Sequence, residues 1–205
     1  MTGGSRAVPA VLGALLVLAS VALGIAVRGT PPGPDVALRD RARGLGPGFV
    51  QAAELVSFVL SPGLAVIAVV SLGLRAVLAR EVLVLKAALL LGVSWCTILA
   101  RFGYDRVRPV VFDLPSYPSG HVTAVTSVAF TGVVLCAHLA RRHLRTAVVL
   151  AVAAVALCAA GRVVLTVHWL TDTVGAALAT TGVGLLAALA LRLLPAGVGS
   201  RGEQS

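Results

Sequence analysis

Charge is what this chain has least of. Only 12% of its 205 residues are charged, and lysine occurs once, at Lys86. With 58% apolar residues and a mean hydropathy of +0.98, that scarcity excludes a water-soluble domain and points to a multi-span membrane protein. Acidic residues number 8 against 17 basic ones, for a net charge of +9. The arginines are scattered among loops between apolar runs, which argues against a nucleic-acid partner. Cysteine is equally sparse. Cys96, Cys136 and Cys158 all fall inside apolar runs and read as small buried hydrophobes, and an odd count argues against a disulfide framework. A soluble domain, a low-complexity linker and a convincing internal repeat are all missing. One all-α membrane domain over residues 1–205 is the natural reading. The preference for Arg over Lys, with abundant Ala, Val, Leu and Gly, is the compositional mark of a high-GC bacterial genome.

What is present is a series of apolar runs. Six are long enough to cross a bilayer, at about 8–27, 52–74, 82–100, 122–140, 146–160 and 170–194. The first is long for a signal peptide and has no clean small-x-small cleavage site before a soluble domain, so an uncleaved span is expected. The prolines and glycine at 31–34 then break the chain. Residues 35–50 mix Asp35, Arg39, Asp40, Arg41 and Arg43 with leucines. They predict a short interfacial helix whose charges are solvated or at headgroup level. Ser61-Pro62-Gly63 predicts a kink within the second span. Lys86 lies near the start of the third and is expected to snorkel to that interface.

Two polar stretches interrupt the frame. Residues 101–121 carry Arg101, Arg106 and Arg108, and Pro109, Pro115, Pro118 and Gly120 stop them from continuing as a helix. Residues 162–172 carry Arg162, His168 and Asp172. Neither stretch belongs in hydrocarbon, so both are placed at a membrane–water boundary. With six spans, loops 1, 3 and 5 share one side, which puts the two stretches on the same face. The basic turns at 75–80 and 141–145 predict cytoplasmic termini and an outward-facing site.

Together the stretches offer well-placed arginines, two histidines and a carboxylate. Ser119 is a candidate N-cap for the fourth span, and Gly120 allows close approach to the N–H groups behind it, which makes an anion site. Arginine forks match phosphate oxygens. His168 and Asp172 are four apart, one turn on a helix, so the carboxylate can hold one imidazole nitrogen protonated and leave the other as nucleophile or base. Each residue alone has a plainer explanation, since arginines anchor membrane edges and histidines sit at interfaces. His138 and His143, toward the other face, are read that way. A metal site built from His121, His168 and Asp172 is the rival chemistry, opposed by the arginines that would repel a cation.

The spacing Arg101-x6-Arg108-Pro109, then Pro118-Ser119-Gly120-His121, then Arg162-x5-His168-x3-Asp172 resembles the three-part signature of the type 2 phosphatidic acid phosphatase superfamily. That group includes membrane lipid phosphatases, bacterial acid phosphatases and vanadium haloperoxidases. The resemblance implies a six-helix membrane bundle with its active site at one face. His168 would be the nucleophile, Asp172 its orienting carboxylate and His121 the acid and base. Arg101, Arg108, Arg162 and the backbone of Ser119 and Gly120 would bind phosphate, with no metal or other cofactor. The implied substrate is a lipid phosphate or pyrophosphate of the bilayer, such as an undecaprenyl-type pyrophosphate, phosphatidate or phosphatidylglycerophosphate, hydrolysed at the cell membrane. Two positions depart from the pattern: Arg101 stands where Lys is usual, and Gly161 where Ser is frequent, removing a hydroxyl contact to phosphate. The alternative is a non-catalytic transporter or scaffold that keeps a phosphate-binding site.

Overall fold

Proline decides where several of the helices begin. Its ring pre-sets the helical φ and its missing N–H is no loss in the first turn. In the computed structural model, which describes residues 4–195, prolines open α2 (Gly33–Arg43), α3 (Pro47–Val59) and α4 (Pro62–Ala79). The remaining helices are α1 (Gly4–Ala26), α5 (Val82–Trp95), α6 (Arg101–Tyr104), α7 (Gly120–Leu139), α8 (Leu144–Val164) and α9 (Leu170–Ala190). A 3-10 turn, Cys96–Ala100, joins α5 to α6.

Among the described residues, six helical stretches are long and apolar enough to span a membrane: Arg6–Ala26, Pro47–Ala79, Val82–Tyr104, Gly120–Leu139, Arg141–Val164 and Leu170–Ala190. The second is a broken rod. It parts at Leu60–Ser61, where the expected kink lies, because Pro62 cannot donate into α3 and starts a new helix instead. In the apolar window of Gly120–Leu139, 44% of residues are buried, against 11% for Pro47–Ala79, so α7 lies inside the bundle and α3–α4 at its rim. Helix α9 packs on α1, α5, α7 and α8.

Helices α1 and α9 touch backbone to backbone. A Cβ on Gly182 would lie 2.7 Å from the Gly13 carbonyl oxygen and 2.9 Å from the Val17 nitrogen. Between helices in lipid, small residues supply the close packing that a hydrophobic effect cannot. The same helix pair is pinned by Ser20, whose Oγ donates to the Gly175 carbonyl at 2.8 Å and lies 2.8 Å from the Tyr117 hydroxyl.

Three sequence expectations need correction. The fifth span runs to Val164 rather than 160, so Arg162 sits in the last turn of α8, where a cation suits the helix C-terminus. The sixth ends at Ala190 rather than 194, closed by a turn with Arg192 at φ 58° and with Leu193 N–H on Ala188 O. Cys158 is buried, but Cys96 is exposed on the bundle's apolar exterior, because an isolated bundle helix turns one face to lipid.

Candidate active site

The turn after α8 aims the central histidine. Val167 N–H bonds Arg162 O at 3.2 Å and Thr166 N–H bonds Val163 O at 2.9 Å, the paired bonds of a Schellman close. Thr166 takes the left-handed position with φ 54°, a conformation that costs a β-branched residue energy. The chain then reverses, and His168 falls two residues before α9, with Trp169 as N-cap. His168 and Asp172 are therefore not both helical, contrary to the simple spacing argument. They still meet because Asp172, third residue of α9, reaches back over the helix start. Its Oδ2 accepts the Trp169 N–H at 2.9 Å and faces His168 Nδ1 at 3.4 Å.

His168 is 3% exposed. Its Nδ1 also lies 3.4 Å from Ser116 Oγ, and that hydroxyl donates to Asp172 Oδ2. Its Nε2 accepts from Arg108 Nη1 at 3.2 Å. A guanidinium can only donate, so this network assigns the proton to Nδ1 and leaves Nε2 with its lone pair. Arg108 is itself fixed by Nε–H donation to Leu114 O at 2.8 Å.

Arg101 and Arg162 converge on the same point from α6 and α8, close enough to act electrostatically on Arg108. Each has a buried Nε without an acceptor among the described residues. Ser119 is the N-cap of α7 by position, but its hydroxyl caps nothing and is a third buried polar atom without a partner there. Its backbone N–H is already given to Asp172 O at 3.2 Å, so Ser119 has its Oγ, not its N–H, to offer an anion. Gly120 opens α7 where a Cβ would stand 3.0 Å from Arg101 Nη2. His121 follows it, half-buried and within electrostatic reach of Arg162, His168 and Arg108. All eight residues read from the sequence, Arg101, Arg108, Ser119, Gly120, His121, Arg162, His168 and Asp172, thus lie at one end of the bundle. His138 and His143 lie elsewhere: His138 Nε2 is 2.9 Å from Leu193 O, and His143 accepts from Arg142.

Behind Asp172 lies a buried ion cluster. Arg106 donates from Nη1 to Asp172 Oδ1 at 2.6 Å and from Nη2 to Asp35 Oδ2 at 2.8 Å. Asp35 Oδ1 accepts the Thr171 N–H at 3.0 Å, in the first turn of α9. Asp35 was expected among solvated charges. It is 2% exposed, because α2 folds over the ends of α8 and α9 instead of lying free at the interface. Among the described residues no three His, Cys, Asp or Glu side chains converge as metal donors.

The sequence profile described as PAP2 superfamily matches residues 64–194, well over half of the chain. The chain belongs to the PAP2 superfamily. The fold is similar to that of a solved structure described as the first transmembrane PAP2 type phosphatidylglycerolphosphate phosphatase from Bacillus subtilis, with a TM-score of 0.70 and 20% identity, covering 85% of this chain and 93% of that one. A comparison with curated proteins finds no match. As a PAP2 member with six helices long and apolar enough to cross a membrane among the described residues, the protein is a multi-pass membrane phosphoric-ester hydrolase.

Within this PAP2 site the electrostatics favour a neutral histidine under charged arginines. Burial, reinforced by Arg108 and Arg162, drives the His168 pKa down to about 4 against the opposing pull of Asp172. Arg108 falls to about 10, by burial first and then by Arg101 and Arg162, and stays charged at neutral pH. Sequence reasoning missed Asp35, Ser116 and Thr171, and left Arg106 without a role. Gly161 also reads differently in three dimensions. A Cβ there would face α3, 3.3 Å from Ser57 Oγ and 3.5 Å from Ala53 O. The glycine lets α3 and α8 approach, and a hydroxyl at 161 would meet Ser57 rather than a phosphate.

Proposed function

We propose that this protein is a metal-independent phosphatase for a lipid phosphate or pyrophosphate, working through a phosphohistidine on His168 at the outer face of a bacterial cell membrane. The observation that carries the reading is His168 itself: buried, with Nε2 unprotonated, in contact with the Arg108 guanidinium and within the field of Arg162, while Arg101 stands behind Arg108. A phosphoryl group entering there would take over the Arg108 donor now resting on Nε2. Its oxygens would also accept from Arg101 Nε, Arg162 Nε and Ser119 Oγ, which have no partner among the described residues.

Nε2 then attacks phosphorus, the N–P bond forms, and the bond to the leaving oxygen breaks. His121 gives its proton to that oxygen. The positive charge that develops on the His168 ring is offset by Asp172, which holds Nδ1–H. In the second step His121 takes a proton from water, the resulting hydroxide attacks phosphorus, and the P–N bond breaks to return His168 and release inorganic phosphate. Phosphoryl transfer needs positioning and charge stabilisation above all, and fixed arginines supply both.

A lipid substrate is supported by the surroundings. An open groove of about 790 Å³ between α7, α8 and α9 is lined by apolar side chains such as Phe130, Val155, Val163, Leu170 and Val174, and Val163 follows Arg162 directly while Leu170 is two residues after His168. The loop beyond Arg108 carries exposed Val111 and Phe112, suited to a bilayer interface. A tail can stay in the membrane while the headgroup enters. Phosphate release from a side-by-side panel of phosphatidylglycerophosphate, phosphatidate and an undecaprenyl-type pyrophosphate in mixed micelles tests the function and ranks the substrates. Release from none of them would contradict it.

A further inference from the structure

We infer that Asp35 is a positioning residue that holds a net negative charge behind His168, by neutralising the Arg106 guanidinium that also grips Asp172. The inference rests on the reading of His168 and Asp172 given above, and it concerns a residue more than 130 positions away from them in sequence.

The cluster is closed and dry. Side chains of Arg106, Asp35 and Asp172 are 2%, 0% and 0% exposed. Arg106 spends both terminal nitrogens on it, Nη2 on Asp35 and Nη1 on Asp172 and on Thr171 Oγ1 at 2.7 Å. Asp35 uses both oxygens, Oδ1 on Thr171 N–H and Oδ2 on Arg106 and the Thr171 hydroxyl. Two carboxylates and one guanidinium leave one negative charge. Without Asp35 the remaining pair would be neutral.

That difference matters because everything else facing His168 is cationic or neutral. Arg108 comes from the loop before α7, Arg162 from α8 and His121 from α7, with Arg101 of α6 acting on Arg108, while Asp172 is the carboxylate in contact. Arg106 is bonded to Asp172 at 2.6 Å and would cancel its field at the imidazole if no second carboxylate balanced it. A ring that becomes positive on phosphorylation needs that field. A purely structural account is also available: Asp35 ties α2 to the first turn of α9, where a carboxylate suits the helix N-terminus. The two accounts separate when the charge is removed and the shape kept.

The experiment uses the full-length protein in detergent with a lipid phosphate that the wild type hydrolyses. Asp35→Asn keeps an acceptor for Thr171 N–H but drops the charge. Its KM is expected to stay within about 3-fold, while kcat and the rate of phosphoenzyme formation fall about 10-fold or more, the scale on which partners standing behind a reacting group act. The acid limb of its pH–rate profile should move to lower pH, since a weaker negative field makes His168 harder to protonate. Asp35→Asn with Arg106→Gln restores one negative charge to the cluster and should recover kcat by about 5-fold or more over Asp35→Asn alone. Wild-type kcat and pH profile in Asp35→Asn would overturn the inference, and so would a kcat loss with an unmoved acid limb and no recovery in the double variant. If Asp35→Asn does not fold, the charge-balanced double variant should fold and turn over; failure of both assigns Asp35 to tethering α2 and overturns the inference. Lack of activity in the wild type would instead overturn the phosphatase reading, so the two failures are distinct.

Discussion

Arg108 and Arg101 share a cluster but not a fate on substitution. Arg108 touches His168 and is anchored by Leu114 and Pro115 carbonyls, so its fork is preorganised. Arg108→Ala should lower kcat/KM by about 100-fold or more, the loss expected for one preorganised charge contact. Among the described residues Arg101 has an Nε without a partner and a single 3.5 Å contact, to Pro118 O, so Arg101→Lys, which keeps the charge, should retain substantial activity. Steady-state kinetics on the same lipid checks both, and full activity in Arg108→Ala would displace the phosphate from this site. His168 also makes stability pH-dependent. Its pKa falls from 6.5 to about 4 on folding, so its contribution is complete above about pH 6.5 and is lost as the pH drops through about 4. Only the unfolded chain takes up the proton in that window. Thermal unfolding in detergent at pH 7 and pH 4.5 should show a smaller acid loss in His168→Gln than in the wild type; equal losses would contradict a neutral buried His168.

Helix ends and helix crossings are where the elements earn their placement. The Schellman turn that aims His168 has Thr166 where glycine is usual, and Thr166→Gly should raise stability by up to ~1 kcal/mol by relieving the left-handed strain. At the α1–α9 crossing a glycine is required rather than missing. Gly182→Val would push against the Gly13 carbonyl and the Val17 backbone, which cannot retreat as a side chain can. A loss of roughly 1–3 kcal/mol is expected from such overpacking. Thermal unfolding in one detergent checks both, and an unchanged midpoint in Gly182→Val would mean that α1 does not dock there. Much at this scale was legible in the sequence. Six apolar runs gave six spans, and Ser61-Pro62 gave the break. The misses have physical causes. Arg162 looked like a boundary because it is charged, yet a cation in a last helical turn is favourable and α8 runs through it. Asp35 looked like one of the solvated charges of a short interfacial helix, and nothing local distinguishes it from them. Its partners Arg106 and Thr171 lie 71 and 136 residues away, a pairing that periodicity and spacing do not encode. Ser116, 56 residues before Asp172, was hidden for the same reason.

Across the whole molecule, parity put loops 1, 3 and 5 on one side, and the contacts of Asp35, Arg106 and Thr171 bring those three loops together. The basic turns at the other end are the ground for proposing that this side faces outward. Val111→Cys, at a fully exposed loop position and with Cys96, Cys136 and Cys158 replaced, should react with an impermeant maleimide on intact cells whose outer envelope, if any, is permeabilised. Labelling only after the inner membrane is breached would reverse the orientation. The arginines also predict that activity survives a chelator and is inhibited by vanadate, which mimics five-coordinate phosphorus. Loss in chelator that a divalent cation restores would argue against them as the source of positive charge. The central claim, that His168 carries the phosphoryl group, is tested most directly by rapid quench with a radiolabelled activated phosphate ester. The wild type should form an acid-labile, base-stable adduct, His121→Ala should accumulate it and His168→Ala should form none. An adduct that persists in His168→Ala, or that survives acid, would contradict the account.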